Sequence, residues 1–201
     1  MSSEDPANTK RRFLFGGGLA AARVLFAAGA LAMGLLGAGM EMTNKTEFCT
    51  SCHTMQQNLV ELKEKPHWSN KSGAHAGCAD CHVPKAFGPK LYAKIMAAKD
   101  VYHELAGTIS TPEKYEAHRR DMAKAVWAKM KASDSRECKG CHAFEHMKTA
   151  DQDKIARRKH ENAVSRGQTC IDCHKGVAHK MPKGYDEDVD DPRSEEHTSE
   201  L

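Results

Sequence analysis

The sequence contains few of the side chains from which an ordinary protein core is built. Tryptophan occurs twice in 201 residues, and aromatic residues make up 6% of the chain. A substantial share of the 40% hydrophobic content falls in one apolar stretch near the N-terminus, and the chain after about Glu41 is strongly polar. A segment this small and polar buries too little apolar surface to fold around its own side chains alone. The sequence therefore predicts that something other than side chains forms much of the core.

Two further absences narrow the fold class and the partners. No segment shows a convincing alternation of period two, the pattern of a β-strand, so we expect a mainly α fold of helices and irregular loops. The formal net charge is only +3, and the lysines are dispersed along the chain. Charge alone therefore implies no nucleic-acid partner and no binding to a membrane surface.

No cysteine lies outside four copies of the motif Cys-x-x-Cys-His. The attachment cysteines are Cys49 and Cys52, Cys78 and Cys81, Cys138 and Cys141, and Cys170 and Cys173, and the motif histidines are His53, His82, His142 and His174. Two thiols at this spacing can add to the two vinyl groups of one haem, and the following histidine supplies an axial nitrogen to its iron. One copy could be a redox dithiol or half of a zinc site. Four copies that use every cysteine predict four c-type haems.

An apolar run near the N-terminus predicts a membrane anchor. Residues 13–42 carry only Arg23 and Glu41 as charged side chains, and the 19 residues from Val24 to Met42 can cross about 30 Å of hydrocarbon as a helix. Basic residues precede the run, so the positive-inside rule places residues 1–12 in the cytoplasm of a bacterial cell and the chain after the anchor in the periplasm. A cleaved export signal is the alternative, but the run is long for a signal and no convincing cleavage site follows it.

The spacing of the motifs suggests two modules. The first cysteines of successive motifs are 29, 60 and 32 positions apart. We expect a tetrahaem domain over residues 43–182, with dihaem modules at 43–85 and 133–182, a helical insert at 86–132, and helices and loops packed around stacked haems. Cys49 follows Met40 by only nine residues. The first haem should therefore lie close to the membrane, where it can exchange electrons with a molecule dissolved in the bilayer.

Local signals predict three longer helices after the second motif. Pro89 can open one that Gly107 ends, Thr111 and Pro112 can cap and open the next, and a third should run from about Asp151 to Arg166. The expected stripe of the first helix is Leu91, Ile95, Ala98, Tyr102 and Leu105, and that of the second is Tyr115, His118, Met122, Val126 and Met130.

Five segments look like those of a known family. They are His53-Thr54-Met55 at the first motif, Pro66–Gly73, Cys81–Pro84, Glu116–Arg119 and Gly167–Lys180. With the number and order of the motifs, they resemble the NapC/NirT family of membrane-anchored tetrahaem quinol dehydrogenases. The resemblance extends from the anchor to about Pro182, and the C-terminal block is especially similar to the NapC branch.

The irons need second ligands, and the histidines outside the motifs are the first candidates. These are His67, His75, His103, His118, His146, His160, His179 and His197. The resemblance implies distal ligands at His67, His160 and His179. The predicted helical face around His160 is apolar and could pack on a haem. His179 follows the fourth motif histidine by five residues, so it should reach a neighbouring haem rather than that motif's own.

Lys85 departs from the family pattern. Members of the nitrate-reductase type often carry a histidine at this position, three residues after the second motif. A deprotonated lysine amine can bind iron, but burial and loss of the proton are unfavourable, and solvent exposure is the ordinary alternative. His75, His103 and His118 are possible substitutes, or one iron keeps an open or partner-supplied position.

The first haem has two candidate ligands within its own motif. The resemblance includes members in which a methionine two residues after the motif histidine binds the iron, and Met55 stands at that position after His53. A thioether raises the reduction potential relative to a second imidazole. We favour Met55, with packing of its side chain against the porphyrin as the alternative.

The resemblance implies electron transfer from a membrane quinol, menaquinol or ubiquinol, to a periplasmic reductase, with nitrate reductase favoured. Quinol oxidation needs a proton acceptor. By resemblance the candidates are Lys94 and Asp100, although six residues of helix place them roughly 120° apart, which is also typical of ordinary surface charges. The residues leave open whether the chain is a quinol dehydrogenase, a terminal reductase of a small nitrogen oxide, or a relay that takes no electrons from quinol.

The C-terminal residues 183–201 form an acidic tail. The segment 193–201 matches what one reading frame of a common sequencing-adapter oligonucleotide encodes, so we interpret it as an artefact of the gene sequence. On this interpretation His197 is not a haem ligand. A natural disordered tail is the alternative.

Overall fold

The structure, a computed structural model, describes residues 6–186, and their side chains from residue 18 onward. All regular elements within this range are helices, and no strand occurs among them, so the predicted mainly α fold is confirmed. The chain divides into two compact units, one ending at Thr43 and the other beginning at Asn44.

The first unit is the helix α1, Pro6–Met42. Its segment Gly18–Met42 has 25 residues with a mean hydropathy of 2.0, long and apolar enough to cross a membrane. Most large apolar side chains of this segment are exposed, as Leu25 and Phe26 show with 73% and 80% exposure, whereas Met40 near its end is buried. An apolar helix with an exposed surface is what a lipid environment requires.

The second unit contains eight further helices in its described part. They are α2 Thr46–Cys49, α3 Gln56–Lys63, α4 Cys78–His82, α5 Phe87–Leu105, α6 Pro112–Ala132, α7 Arg136–Lys139, α8 Lys154–Ser165 and α9 Cys170–Cys173. Single 3-10 turns lie at His53–Met55, Phe144–His146 and Thr149–Asp151. The four shortest helices, α2, α4, α7 and α9, each contain the first cysteine of one motif.

Three of the predicted ends of the two long insert helices agree with the structure to within a residue or two. α5 begins at Phe87, two residues before the predicted start at Pro89, and Gly107 follows its end with a φ of +70°, a conformation that favours glycine. At the start of α6, the Thr111 hydroxyl accepts a hydrogen bond from the backbone N–H of Lys114 at 3.3 Å, and Pro112 is the first helical residue.

α8 begins later than predicted. The Asp153 carboxylate accepts hydrogen bonds from the backbone N–H groups of Ile155 and Ala156, both at 2.9 Å, and so caps the helix at Lys154. Residues 149–151 form a separate 3-10 turn. The predicted start at Asp151 was therefore wrong by three residues.

Few apolar side chains are buried in the second unit. Among its described residues they are Leu62, Ala93, Ile109, Tyr115 and Ile171. The predicted stripe of α5 is largely exposed, with Leu105 at 83% exposure. On α6, the stripe prediction was wrong at His118, which is exposed, while its neighbour Arg119 is buried. The polypeptide alone supplies only a thin core, as the low apolar content after residue 41 predicts.

Candidate haem-binding site

Two of the motif helices are capped by an aspartate from their own motif. An Asp80 oxygen accepts a hydrogen bond from the backbone N–H of Gly77 at 2.8 Å, and an Asp172 oxygen accepts one from Thr169 at 2.8 Å. Each hydrogen bond links the backbone of the residue before the first cysteine to the aspartate that lies between the two cysteines. The backbone of the second and fourth motifs is thereby fixed locally.

The four motifs are neighbours in chain order. α2 packs against α4, and α4 packs against α7. A hydrogen bond between the side chains of Cys49 and Cys78 lowers the pKa of Cys49 to about 6 and raises the pKa of Cys78. Burial and the nearby thiol of Cys138 raise the pKa of Cys81 to about 11, and burial and the thiol of Cys170 raise the pKa of Cys138. The backbone N–H of Ile171 in the fourth motif donates to the hydroxyl of Ser135, the residue before α7, at 3.1 Å. Contacts therefore run from the first motif to the second, third and fourth.

Three motif histidines each face a second histidine at a similar spacing. Ring centroids are 6.3 Å apart for His82 and His179, 6.1 Å for His67 and His142, and 5.9 Å for His160 and His174. An imidazole nitrogen binds a first-row metal at about 2 Å and lies about 1 Å from the ring centre. Two rings on opposite sides of one iron would then have centroids about 6 Å apart. Donor type and spacing at these three motifs thus fit a haem iron with two imidazoles.

The ring of His160 is oriented by Gln152. Its Nδ1 lies 2.7 Å from the Gln152 Oε1, an oxygen that can only accept, so Nδ1 is the donor and Nε2 keeps its lone pair. A ligand histidine is commonly held in this way through its second nitrogen. The centroid of Phe144 lies 6.3 Å from the same ring and gives it an apolar neighbour.

Glu61 and Arg119 form a buried ion pair between α3 and α6. Arg119 donates to both carboxylate oxygens of Glu61, at 2.8 Å and 2.6 Å. The Glu61 side chain is 1% exposed and the Arg119 side chain is 10% exposed. Burial opposes ionisation of Glu61, but the hydrogen bonds from Arg119 and from the backbone N–H of Lys180 outweigh it and lower the pKa of Glu61. The paired geometry stabilises both charges in the interior.

The same pair holds the segment that carries His179. The backbone N–H of Lys180 donates to Glu61 at 2.9 Å, and Arg119 donates to the Lys180 carbonyl at 2.8 Å. The His179 Nδ1 is buried without a hydrogen-bond partner and lies 4.0 Å from a Glu61 oxygen. Burial lowers the pKa of His179, which favours the neutral ring that a metal requires.

The first motif differs from the other three. No described histidine is paired with the ring of His53. Its Nδ1 lies 3.1 Å from a Glu104 oxygen and its Nε2 lies 3.1 Å from the backbone carbonyl of Ser110. The sulfur of Met55 accepts a hydrogen bond from the Asn58 amide at 3.7 Å. Both predicted ligands of the first haem are thus positioned by other side chains.

Lys94 and Asp100 differ in their surroundings. The charge of Lys94 lowers the pKa of Cys49, by less than the hydrogen bond with Cys78 does, while burial of Cys49 raises it. Asp100 is exposed and lies six residues later on α5. Of these two residues, Lys94 is the one whose charge acts on the first attachment cysteine.

The remaining candidates lie elsewhere. The Lys85 amine is 3.5 Å from the position of a Cβ built on Gly140, so it lies beside the third motif. Three histidines use Nδ1 in local hydrogen bonds, His75 with the Trp68 carbonyl, His103 with the Thr108 hydroxyl and His118 with the Lys114 carbonyl. Among the residues that the structure describes, none of these rings, nor His146, is paired with a motif histidine. His197 lies outside the described residues.

Sequence reasoning missed four residues that position the candidate ligands. They are Glu61, Glu104, Arg119 and Gln152. Arg119 had a detectable signal, because it stands four residues after Tyr115 and therefore on the same helical face. The other three act on partners that are distant in sequence or separated by a turn, and no local pattern marks them.

The motifs and the helix α1 together define a class of protein. Within residues 6–186, no group of three or more histidine, cysteine and acidic side chains is placed to hold a bare metal ion. Four attachment motifs in contact, three of them with paired imidazoles, are instead the features of a tetrahaem c-type cytochrome, here with a membrane anchor. The sequence model of the NapC/NirT cytochrome c family, N-terminal region, matches residues 15–184. The chain belongs to that family.

Individual relatives agree with this assignment. A protein of Allochromatium vinosum described as a tetraheme cytochrome-c type is 51% identical over 185 residues, which cover 92% of this chain and 98% of the relative. The cytochrome c-type protein NapC of Escherichia coli K12 is 48% identical over 158 residues, 78% of this chain and 79% of the relative. The denitrification system component NirT of Stutzerimonas stutzeri is 44% identical over 165 residues, 82% of each chain. The predicted four c-type haems and the role in electron transport are confirmed.

Proposed function

We propose that this protein oxidises a membrane quinol, menaquinol or ubiquinol, and passes the electrons to a periplasmic reductase, most directly nitrate reductase. The observation that carries the proposal is the contact of the four motifs in chain order, starting from a motif nine residues after Met40 in the membrane helix. Electrons that enter at the bilayer end can then leave near the fourth motif. The 48% identity to NapC supports this direction of transfer.

The chain's own side chains hold the four haems, each of which supplies an iron that takes up and gives off one electron at a time. By the ring spacings given above, three of the irons would each be held by two histidines: His82 with His179, His142 with His67, and His174 with His160. At the first haem we assign Met55, because both nitrogens of His53 are used by other groups. Gln152 and the Glu61 pair orient the distal rings.

Spectroelectrochemistry with electron paramagnetic resonance on the purified protein tests these assignments. We expect three low-spin bis-histidine haems and one methionine-ligated haem of higher potential. Replacement of His67, His160 or His179 by alanine should change one low-spin signal each. His75→Ala is the matched control, because this exposed ring is paired with no motif histidine among the described residues. Loss of a low-spin signal in that control would contradict the assignment.

Lys94 and Asp100 are the proposed proton-handling residues at the quinol end. Quinol must lose two protons as it loses two electrons, and a positioned base accelerates that loss about 100-fold or more. Lys94 lies near the first motif, and the exposed Asp100 is suited to release a proton to solvent. Asp100→Asn and Lys94→Gln should each slow quinol oxidation, whereas Lys99→Gln on the same helix should not. A wild-type rate in Asp100→Asn removes Asp100 from the mechanism.

Orientation in the membrane follows from the charges before the anchor. Lys10, Arg11 and Arg12 precede the apolar run, and basic residues favour the cytoplasmic side. We therefore place the segment from Asn44 in the periplasm. A protease added to intact spheroplasts should remove this segment, and its full protection would reverse the orientation.

The reductase partner is tested by mixing the quinol-reduced protein with purified reductases. Reoxidation of the haems by periplasmic nitrate reductase and nitrate, with no reoxidation by nitrite reductase and nitrite, is expected. The 44% identity to a denitrification system component supports a second candidate partner, nitrite reductase. In that case nitrite reductase with nitrite would reoxidise the haems, and nitrate reductase with nitrate would not. Consumption of nitrite by this protein alone with an artificial electron donor would instead identify a terminal reductase.

A further inference from the structure

The His53 ring is held through both of its nitrogens. Its Nδ1 lies 3.1 Å from Oε1 of Glu104, and its Nε2 lies 3.1 Å from the Ser110 carbonyl oxygen. Both contacting oxygens are acceptors, so whichever nitrogen carries the proton donates to its neighbour. In this position each ring nitrogen faces a protein oxygen, which occupies the place that an iron would take. His160 differs from His53. Gln152 contacts its Nδ1, and its ring is paired with that of His174.

Glu104 is itself fixed in place. Its second oxygen, Oε2, accepts a hydrogen bond of 2.6 Å from the hydroxyl of Thr54, the residue after His53. The Glu104 side chain is 15% exposed and Thr54 is buried. One carboxylate of α5 therefore binds two consecutive residues of the turn that joins the first motif to Met55.

The thioether of Met55 is positioned independently of this contact. The Asn58 amide nitrogen donates to the sulfur at 3.7 Å, and the Asn58 oxygen accepts from the Tyr115 hydroxyl at 2.6 Å. Because the amide oxygen is occupied by Tyr115, the amide nitrogen is the end that faces Met55. Met55 is therefore positioned by Asn58, whereas His53 is held by Glu104 of α5.

We propose that Glu104 is a positioning residue that selects the ligand of the first haem, by holding His53 away from the iron so that Met55 binds it. This inference rests on the proposed ligation by Met55. Without the carboxylate, the Nδ1 contact is lost and the ring is released two residues from the methionine. An imidazole then competes with the thioether, and it is the ligand that gives the lower reduction potential.

The test is Glu104→Ala in the full-length holoprotein, followed by near-infrared magnetic circular dichroism and redox titration of the first haem. We expect loss of the methionine signature and a fall in the potential. A purely electrostatic role gives the opposite sign, because removal of a nearby negative charge destabilises the oxidised iron and raises the potential. Glu47→Ala, an exposed glutamate two residues before Cys49, is the matched control and should keep the methionine signature.

A conservative variant separates the contact from the charge. Glu104→Gln keeps an acceptor oxygen for the His53 ring, so it should keep the methionine signature, and it should keep four haems per chain if Glu104→Ala assembles poorly. An unchanged signature in Glu104→Ala, or a signature lost equally in Glu104→Gln, overturns the role of Glu104 while Met55 remains the ligand. A wild-type protein without a methionine signature overturns the ligation by Met55 itself.

Discussion

At the scale of single residues, Glu61 connects three parts of the second unit. It lies on α3, and its carboxylate accepts hydrogen bonds from Arg119 of α6 and from the backbone N–H of Lys180. Glu61→Gln removes the more buried of the two carboxylates that pair with the guanidinium and leaves only Glu116, at 3.0 Å. Breaking a buried pair lowers the free energy of unfolding by about 3 kcal/mol. Thermal unfolding measures the change. Glu64→Gln, an exposed glutamate on the next turn, should alter stability by less than about 0.5 kcal/mol, and equal effects would contradict the role of the pair.

Glu61 also gives the protein a defined sensitivity to acid. Its pKa in the folded chain is lowered from the ordinary value of 4.5, so its contribution to stability is present above that pH and is lost as the pH falls through the lowered pKa. We expect the stability difference between wild type and Glu61→Gln to be constant from about pH 7 to pH 5 and to shrink below it. Unfolding curves of both proteins across this pH range measure the stability difference. A difference that grows as the pH falls would contradict a lowered pKa of Glu61.

Gly77, the residue before the second motif, lies against Thr46, the first residue of the helix that ends at Cys49. A Cβ at this position would lie 2.6 Å from the Thr46 hydroxyl oxygen, too close for any real contact. Gly77→Ala should therefore lower the free energy of unfolding by about 1–3 kcal/mol through overpacking. Adding Thr46→Ala should recover most of that loss. Gly88→Ala, where nothing lies within 4 Å of the added Cβ, is the control, and a similar loss there would contradict the explanation.

At the scale of secondary-structure elements, α8 carries His160 and depends on its N-terminal cap. Asp153→Ala removes the acceptor for two backbone N–H groups and should lower stability by about 1 kcal/mol. The fraying should also broaden the low-spin signal of the haem that we assign to His160. Asp151→Ala, in the preceding 3-10 turn, should have neither effect. If Asp153→Ala changes neither the stability nor the low-spin signal, packing rather than the cap holds this helix.

The long helices were predictable because their boundaries are local. Gly107 marks the end of α5, and Thr111 and Pro112 set the start of α6, through backbone conformation and capping, which depend on neighbouring residues. Pro89 fits within the first turn of α5, where its missing N–H has no helical acceptor to lose. The start of α8 was misplaced because two aspartates compete for the cap, and the sequence does not rank Asp153 above Asp151. The buried position of Arg119 was missed because its partner lies 58 residues away.

At the scale of the whole molecule, the attachment sites follow directly from the sequence, whereas the ligand pairs depend on the fold. The motifs identify the attachment cysteines and the histidine that follows each pair. The partner of each motif histidine could only be suggested by family resemblance, since pairs such as His67 and His142 come together through long-range packing. Which groups restrain His53 was equally hidden, because Glu104 and Ser110 belong to a different helix and loop.

The thin polypeptide core has the same origin. Few apolar side chains are buried in the described part of the second unit, and the exposed apolar surface of α5 and of the motif helices is available to cover haems. The anchor α1 is apolar for a different reason, since its surface matches hydrocarbon rather than a folded interior. Membrane contact and haem packing thus account for the uneven distribution of apolar residues along the chain.

Transfer of electrons from a quinol to the haems is the central claim, and one measurement tests it most directly. The full-length protein is reconstituted in liposomes that contain menaquinol or ubiquinol, without oxygen, and the haem absorption is followed. Reduction by at least one quinol, slowed about 100-fold in Asp100→Asn, is the expected result. Haems that dithionite reduces but neither quinol reduces would contradict the claim and would identify a relay that receives its electrons from another protein.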